Sequence, residues 1–210
     1  MNQPLPSTVT RPEERTQRKT ERREAKKMAI AMSALDALKR MGYANTTMRD
    51  IAAVCEMSLG SLTYYFIDKE DLITWCVRLY KTEFIQRISR VADAQLSPQG
   101  VIAQLADELA RSILEDRATH RLWYDIRNQA MFDPTFLPVV SEIEHSLQQV
   151  LSEVLRTLGV IMPHSAALGY AMLDGVYRFL LQNTQGKPQN EDSLSEQFRA
   201  ALQAIISLKV

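Results

Sequence analysis

The chain has 210 residues, 46% hydrophobic and 24% charged, enough apolar material for one large domain, or a small domain joined to a larger one, without disulfides or a structural metal. Net charge is zero, yet residues 1–69 hold 12 Lys+Arg against 8 Asp+Glu and residues 70–210 hold 13 against 17, which hints at an anion-binding N-terminal module on a more acidic body. Two cysteines inside helical patterns (Cys55, Cys76), an N terminus without an apolar signal region, and no run near the roughly 18 apolar residues of a membrane span predict a soluble, reduced, cytoplasmic protein.

Residues 1–20 are polar and carry Pro4, Pro6 and Pro12, so they read as a flexible basic arm. Its tail, RTQRKTERREAKK (15–27), is either a phosphate-tracking extension or the solvated start of a helix. From Met28 the steps Met28, Ala31, Leu35, Leu38, Met41 predict an apolar helix face, which Gly42 ends. Thr47 with Asp50 three residues on predicts a capped second helix buried through Met48, Ile51, Ala52 and Cys55. After a break near Glu56 and Met57, Ser58 is placed to cap a third short helix. A longer helix runs to about residue 91, and further helices are predicted at 98–115, 117–131, 135–158, 164–184 and 191–208. Pro98, Pro134, Pro138, Pro163 and Pro188 fall where the helical periodicity pauses. No stretch alternates for long or carries a hairpin turn, so the predicted fold class is all-α.

The first three helices have the layout of a helix-turn-helix, although short helix pairs occur in any all-helical protein. The residues sharpen the reading. GYANTTMRDIAAVCEMSLGSLTYYFIDKEDLI (42–73) resembles the signature of the TetR family of bacterial transcriptional regulators. The resemblance rests on Gly42-Tyr43, Thr47, Ile51-Ala52, Ser58, Gly60-Ser61-Leu62, Tyr65-Phe66, Lys69-Glu70 and Leu72. It implies a helix-turn-helix DNA-binding domain over 21–70, after the arm at 1–20, and a helical effector-binding and dimerisation domain over 71–210. The chain departs from the signature at Glu56, which stands at a turn usually filled by glycine, and at Leu59 and Thr63.

Leu62 and Phe66, four apart, would anchor the third helix on Met48, Ile51 and the first helix. Leu59, Gly60, Ser61, Thr63 and Tyr64 would then face a major groove. Gly60 would allow close approach, and Ser61 and Thr63 would bond base edges or phosphates. Tyr64, Tyr65, Lys69 and the helix start at Thr47 suit phosphates, and Ser58 completes the set. Two questions stay open here: whether the Tyr65 ring is core, and whether Leu59 touches a thymine methyl or packs on the first helix.

In the body, RLWYDIRNQAMFDPTF (121–136) is similar to the C-terminal domains of regulators related to the betaine-synthesis repressor. The candidate effector-binding residues are Trp123, Tyr124, Arg127, Tyr170, Asp174 and Tyr177. Aromatics and methionines at this spacing, including Met131 and Phe132, are also ordinary core. Arg127 either anchors a ligand or pairs with a nearby carboxylate. A homodimer is expected through the helices at 143–158 and 164–184, where Ala167, Ala171 and Gly175 form a groove of small residues.

His120, His145 and His164 show no metal-ligand spacing, and no nucleophile elbow, phosphate loop or dinucleotide fingerprint occurs. The reading is therefore not an enzyme, with no cofactor and no metal. It is a dimeric DNA-binding regulator, a repressor, whose partners are a duplex operator and a small-molecule effector. The alternative is a helical ligand-binding or interaction protein with a degenerate helix-turn-helix.

Overall fold

The computed structural model describes residues 11–93, 95–160, 166–183 and 190–207, and every regular element among them is helical. Three helices form the N-terminal part: α1 (Arg11–Met41), α2 (Met48–Val54) and α3 (Leu59–Tyr65). Six follow: α4 (Lys69–Asp93), α5 (Pro98–Glu115), α6 (Arg117–Gln129), α7 (Leu137–Thr157), α8 (Ala166–Asn183) and α9 (Glu191–Ser207). A 3-10 turn, Pro134–Phe136, leads into α7. No helix is long and apolar enough to cross a membrane among the described residues.

The expected flexible arm is corrected in part, because α1 begins at Arg11; residues 1–10 lie outside the described residues. The segment favours a helix because Glu, Arg, Lys, Gln and Ala lose little side-chain freedom there. Residues 15–26 are nonetheless exposed throughout. Met28 is also corrected: it is 44% exposed, and the buried stripe runs through Ile30, Ala31, Ala34, Leu35 and Leu38. Gly42 ends the helix at φ +77, with its N–H on the Leu38 carbonyl at 2.8 Å. That is the left-handed conformation in which a glycine carries no Cβ penalty.

One core cluster runs from Ile51, Leu62 and Phe66 through Leu72, Ile73 and Cys76 of α4 into α5–α9. The boundary expected at residues 70–71 therefore falls in the first turn of α4, and the core crosses it without a break. Two thiols fasten α1: Cys76 donates to the Ala31 carbonyl at 3.2 Å and Cys55 to that of Ile30 at 3.7 Å. Burial pushes the Cys76 thiol up to about 12. Tyr43 meets Phe136 edge-on at 5.8 Å, a second tie between the N-terminal part and the body.

Within the body, α5 and α9 pair most extensively, joined by Arg199 to Asp107 at 2.8 Å. Arg78 of α4 forks onto Glu142 of α7 at 2.9 and 3.2 Å. Pro98 opens α5 behind a Ser97 cap, and Pro134 and Pro138 sit in first turns; Pro163 and Pro188 lie outside the described residues. The expected dimer surface needs a correction at α7. Val150, Leu151, Val154 and Leu155 are all buried within the chain, whereas Glu142, His145, Gln149 and Ser152 are exposed. On α8 the expectation matches the exposure: Ala167, Ala171 and Gly175 face outward, beside Leu168, Met172 and the 62%-exposed Phe179.

Candidate nucleic-acid interface and interior site

The turn between α2 and α3 is closed by two backbone bonds. Met57 N–H reaches the Ala52 carbonyl at 2.9 Å and Glu56 N–H the Ala53 carbonyl at 3.1 Å, the paired pattern that ends many helices. It requires a left-handed residue, and Glu56 supplies it at φ +53. The departure at Glu56 therefore leaves the turn formed, at the steric cost of a Cβ in that region.

At the start of α2, Thr47 and Asp50 cap each other. The Asp50 carboxylate accepts from the Thr47 N–H at 2.8 Å and from its hydroxyl at 2.6 Å, and Asp50 N–H donates to Thr47 Oγ1 at 3.2 Å. These bonds hold the Asp50 carboxyl below its ordinary pKa. The helix start expected to receive a phosphate at Thr47 thus already carries its own anion.

On α3, Leu62 and Phe66 are fully buried, as their spacing predicts. Each contributes about 1.5–3 kcal/mol by leaving water. Leu59, Gly60, Ser61, Thr63 and Tyr64 all face outward, and Tyr65 is half-buried against the core. The hydroxyls are already engaged locally. Ser58 Oγ accepts from Ser61 N–H at 3.0 Å and lies 2.8 Å from Ser61 Oγ, and Thr63 donates back to the Gly60 carbonyl at 3.1 Å. The Tyr64 ring is fixed edge-on against Tyr65 at 5.1 Å, with the Arg23 guanidinium 5.8 Å from its centroid.

Lys69 is drawn toward the turn between α1 and α2. Its Nζ donates to the Tyr43 carbonyl at 2.6 Å and sits 4.1 Å over the Tyr43 ring, and burial lowers its pKa. One of its three ammonium donors is thus spent inside the protein. Lys27 is likewise turned inward, 4.5 Å over Trp75 and 5.0 Å over Phe66. Arg22, Arg23 and Lys26 of α1 and Arg49 of α2 are exposed, and of these Arg23 meets α3 through the Tyr64 ring.

A second polar constellation lies inside the body. Arg127 of α6 reaches Asp174 of α8 and Glu144 of α7, each at 2.7 Å, and the Tyr124 hydroxyl donates to Asp174 at 2.9 Å. Tyr170 keeps its hydroxyl buried without a hydrogen-bond partner. Tyr177 shares a 2.8 Å hydrogen bond with Ser112. Asp174, Tyr170 and Tyr177 form the polar end of an otherwise aliphatic cavity of about 70 Å³ that includes Ile88 and Leu109. On the other side, Tyr124, Arg127 and Glu144 line an open groove of about 340 Å³ with Leu137 and Arg178. The Arg127–Asp174 pair is the wall between the two spaces.

Five of the six expected effector residues are thus brought together. Trp123 is set apart: it is 2% exposed and lies under Arg127 at 5.7 Å and Lys81 at 4.9 Å rather than on the cavity. Met131 and Phe132, open to a core reading from sequence, are 77% and 85% exposed.

Sequence reasoning missed Lys81. It is 3% exposed and held between the rings of Phe84, Trp123 and Tyr80 at 4.8, 4.9 and 5.5 Å. Burial pulls its pKa down to about 7, with Asp174 opposing. The signal was its register, since Val77, Lys81, Phe84 and Ile88 follow a buried helical face. His120 is bonded to the Tyr80 hydroxyl, and its Nδ1 is buried without a hydrogen-bond partner. Burial drives the ring well below its ordinary pKa. Among the described residues no group of His, Cys, Asp and Glu is placed to hold a metal.

Residues 30–74, the span from the buried stripe of α1 to the first turn of α4, match the family of bacterial regulatory proteins described as the tetR family. That match makes the N-terminal helices a TetR-type DNA-binding region. They have the helix-turn-helix layout of a DNA-binding domain. The chain is 22% identical over 158 residues to the HTH-type transcriptional regulator PksA of Bacillus subtilis (strain 168), covering 73% of this chain and 77% of that protein. It superposes on a protein of Mesorhizobium loti MAFF303099 assigned to the TetR family at a TM-score of 0.68, with 21% identity over 89% of this chain and 98% of that one. The regulator FadR from Bacillus subtilis, solved with stearoyl-CoA, gives 0.64 with 17% identity over 86% and 97%. At these identities the structural likeness speaks for the fold.

Proposed function

We propose that this regulator represses transcription as a homodimer and leaves its operator when an effector enters the body between α4, α5, α7 and α8. The observation that carries the effector site is the wall made by Arg127 and Asp174. It separates an open groove from an apolar cavity with an unpartnered Tyr170 hydroxyl at its polar end. A cavity of about 70 Å³ is far below the roughly 300–1,000 Å³ of a ligand pocket. In this reading an effector enters from the groove of about 340 Å³, parts the wall and spreads the helices. Ile88 of α4 lines that cavity, and α4 carries Leu72, Ile73 and Cys76 into the core shared with α2 and α3. Spreading the body shifts the recognition helices, and a pair that no longer matches the half-site separation of about 34–36 Å cannot dock together.

The second copy is expected on α8, where Leu168, Met172 and Phe179 present an exposed apolar stripe flanked by Ala171 and Gly175. Sedimentation of the protein and of Phe179→Glu tests the dimer, with the variant expected as a monomer. For the effector, a panel of apolar and amphipathic small molecules that includes stearoyl-CoA is titrated against the protein–DNA complex. Release of DNA by the wild type but not by Tyr170→Phe or Asp174→Asn is the expected result. Release unaffected by both substitutions would place the effector elsewhere.

A further inference from the structure

We infer that α3 reads its operator through thymine 5-methyl groups, with Leu59 and the methyl of Thr63 as the readers and Gly60 as the point of closest approach. The inference rests on the DNA-binding reading above and adds which bases are read.

The side chains available to α3 are those of LGSLTYY (59–65), which contain no Arg, Lys, Asn, Gln, Asp or Glu. The bidentate pairings that identify guanine and adenine, and the acid that accepts from cytosine, are therefore absent from this helix. Hydroxyl readout is weakened as well. Ser61 is tied to Ser58 at 2.8 Å, and Thr63 donates its only O–H to the Gly60 carbonyl at 3.1 Å. For an outside partner Thr63 keeps acceptor lone pairs and its methyl group, and no O–H donor.

Leu59 is 38% exposed, so part of its side chain is open to an outside partner. A leucine and a threonine methyl four residues apart stand on one helix face, and the apolar feature of the major groove is the thymine methyl.

Gly60 gives independent support. A Cβ built there meets nothing within 4 Å, and its φ lies outside the left-handed region. Nothing within the chain requires glycine, although a helical glycine costs stability relative to alanine. A partner whose surface comes against the helix backbone accounts for it. An anionic partner suits the exposed cations of the preceding helices: Arg23 stands against the Tyr64 ring, and Arg22, Lys26 and Arg49 are exposed on α1 and α2.

The test uses the full-length protein. A randomised 26-base-pair duplex pool is selected at low salt, and each thymine of the enriched site is then replaced by uracil, which removes only the methyl. Affinity is expected to fall about fourfold for each methyl that α3 contacts, with the salt dependence unchanged. Leu59→Ala should abolish the effect at one position. Thr63→Ser keeps the hydroxyl and should abolish it at another. Equal binding of every uracil-substituted duplex would overturn the inference while leaving DNA binding intact. An unenriched pool would overturn the DNA-binding reading and this inference with it.

Discussion

The guanidinium of Arg127 lies 2.7 Å from the carboxylate of Asp174, pinning α6 to α8 at the boundary between the inner cavity and the outer groove. The same guanidinium holds Glu144 of α7 at 2.7 Å, so one side chain ties three helices. Removing it leaves two carboxylates facing each other. Arg127→Ala is expected to lower stability by about 1–3 kcal/mol, less than for a fully buried pair because these side chains keep some solvent contact. Asp174→Asn, which keeps a hydrogen-bond acceptor for Tyr124, is expected to cost less. Urea unfolding of both variants checks the order.

Lys81 predicts a pH dependence. Its pKa falls from 10.5 to about 7 on folding, so between those values the unfolded chain holds a proton that the folded chain lacks. Unfolding then takes up a proton, and stability rises with pH across that window. Below about 7 both states are protonated, and the cost of the buried ammonium is fully felt. Lys81→Met should raise stability near neutral pH by about 1–4 kcal/mol and flatten this slope. Thermal melts of both proteins from pH 6 to 10 check it, and parallel curves would contradict it.

Glu56, at φ +53, carries a left-handed penalty of about 1–2 kcal/mol. Glycine removes that penalty but gives back part of it through a more flexible unfolded chain, about 0.4–1 kcal/mol. Glu56→Gly is therefore expected to raise the melting temperature slightly. Glu56→Val, β-branched at the same backbone angle, should lower it clearly.

Gly60→Ala separates fold from function. With open space around the added methyl, stability should hold or rise by up to about 1 kcal/mol. DNA affinity should fall at least tenfold, about 1.4 kcal/mol. Circular-dichroism melts and duplex titrations on the same samples provide both readouts.

The elements most legible in the sequence were those governed by local rules. Gly42, the Thr47–Asp50 cap, Ser58 and the prolines before α5 and α7 fix helix ends by backbone chemistry within a few residues. The helix from Pro98 to Glu115 matched its expected bounds for that reason. Phe66 and Leu62 were legible because only one spacing buries both. Long-range partners were not. Nothing local indicates that Lys69 turns back to Tyr43, or that the apolar face of α7 is used up inside the chain. Lys81 was hidden by its type, since a lysine is seldom fully buried. The helical start at Arg11 was hidden by charge and proline, which read as an arm although Pro12 suits a first helical turn.

The central claim is that α1–α3 dock on duplex DNA through exposed cations of α1 and α2, with α3 itself carrying none. Anisotropy of a labelled duplex spanning the DNA beside its own gene, titrated from 50 to 200 mM salt, tests it most directly. The predicted result is a linear fall of log affinity with log salt at a slope of about −0.9 per phosphate contacted, made shallower by Arg23→Ala or Arg49→Ala. Salt-independent binding, or no binding at the lowest salt, would contradict the account.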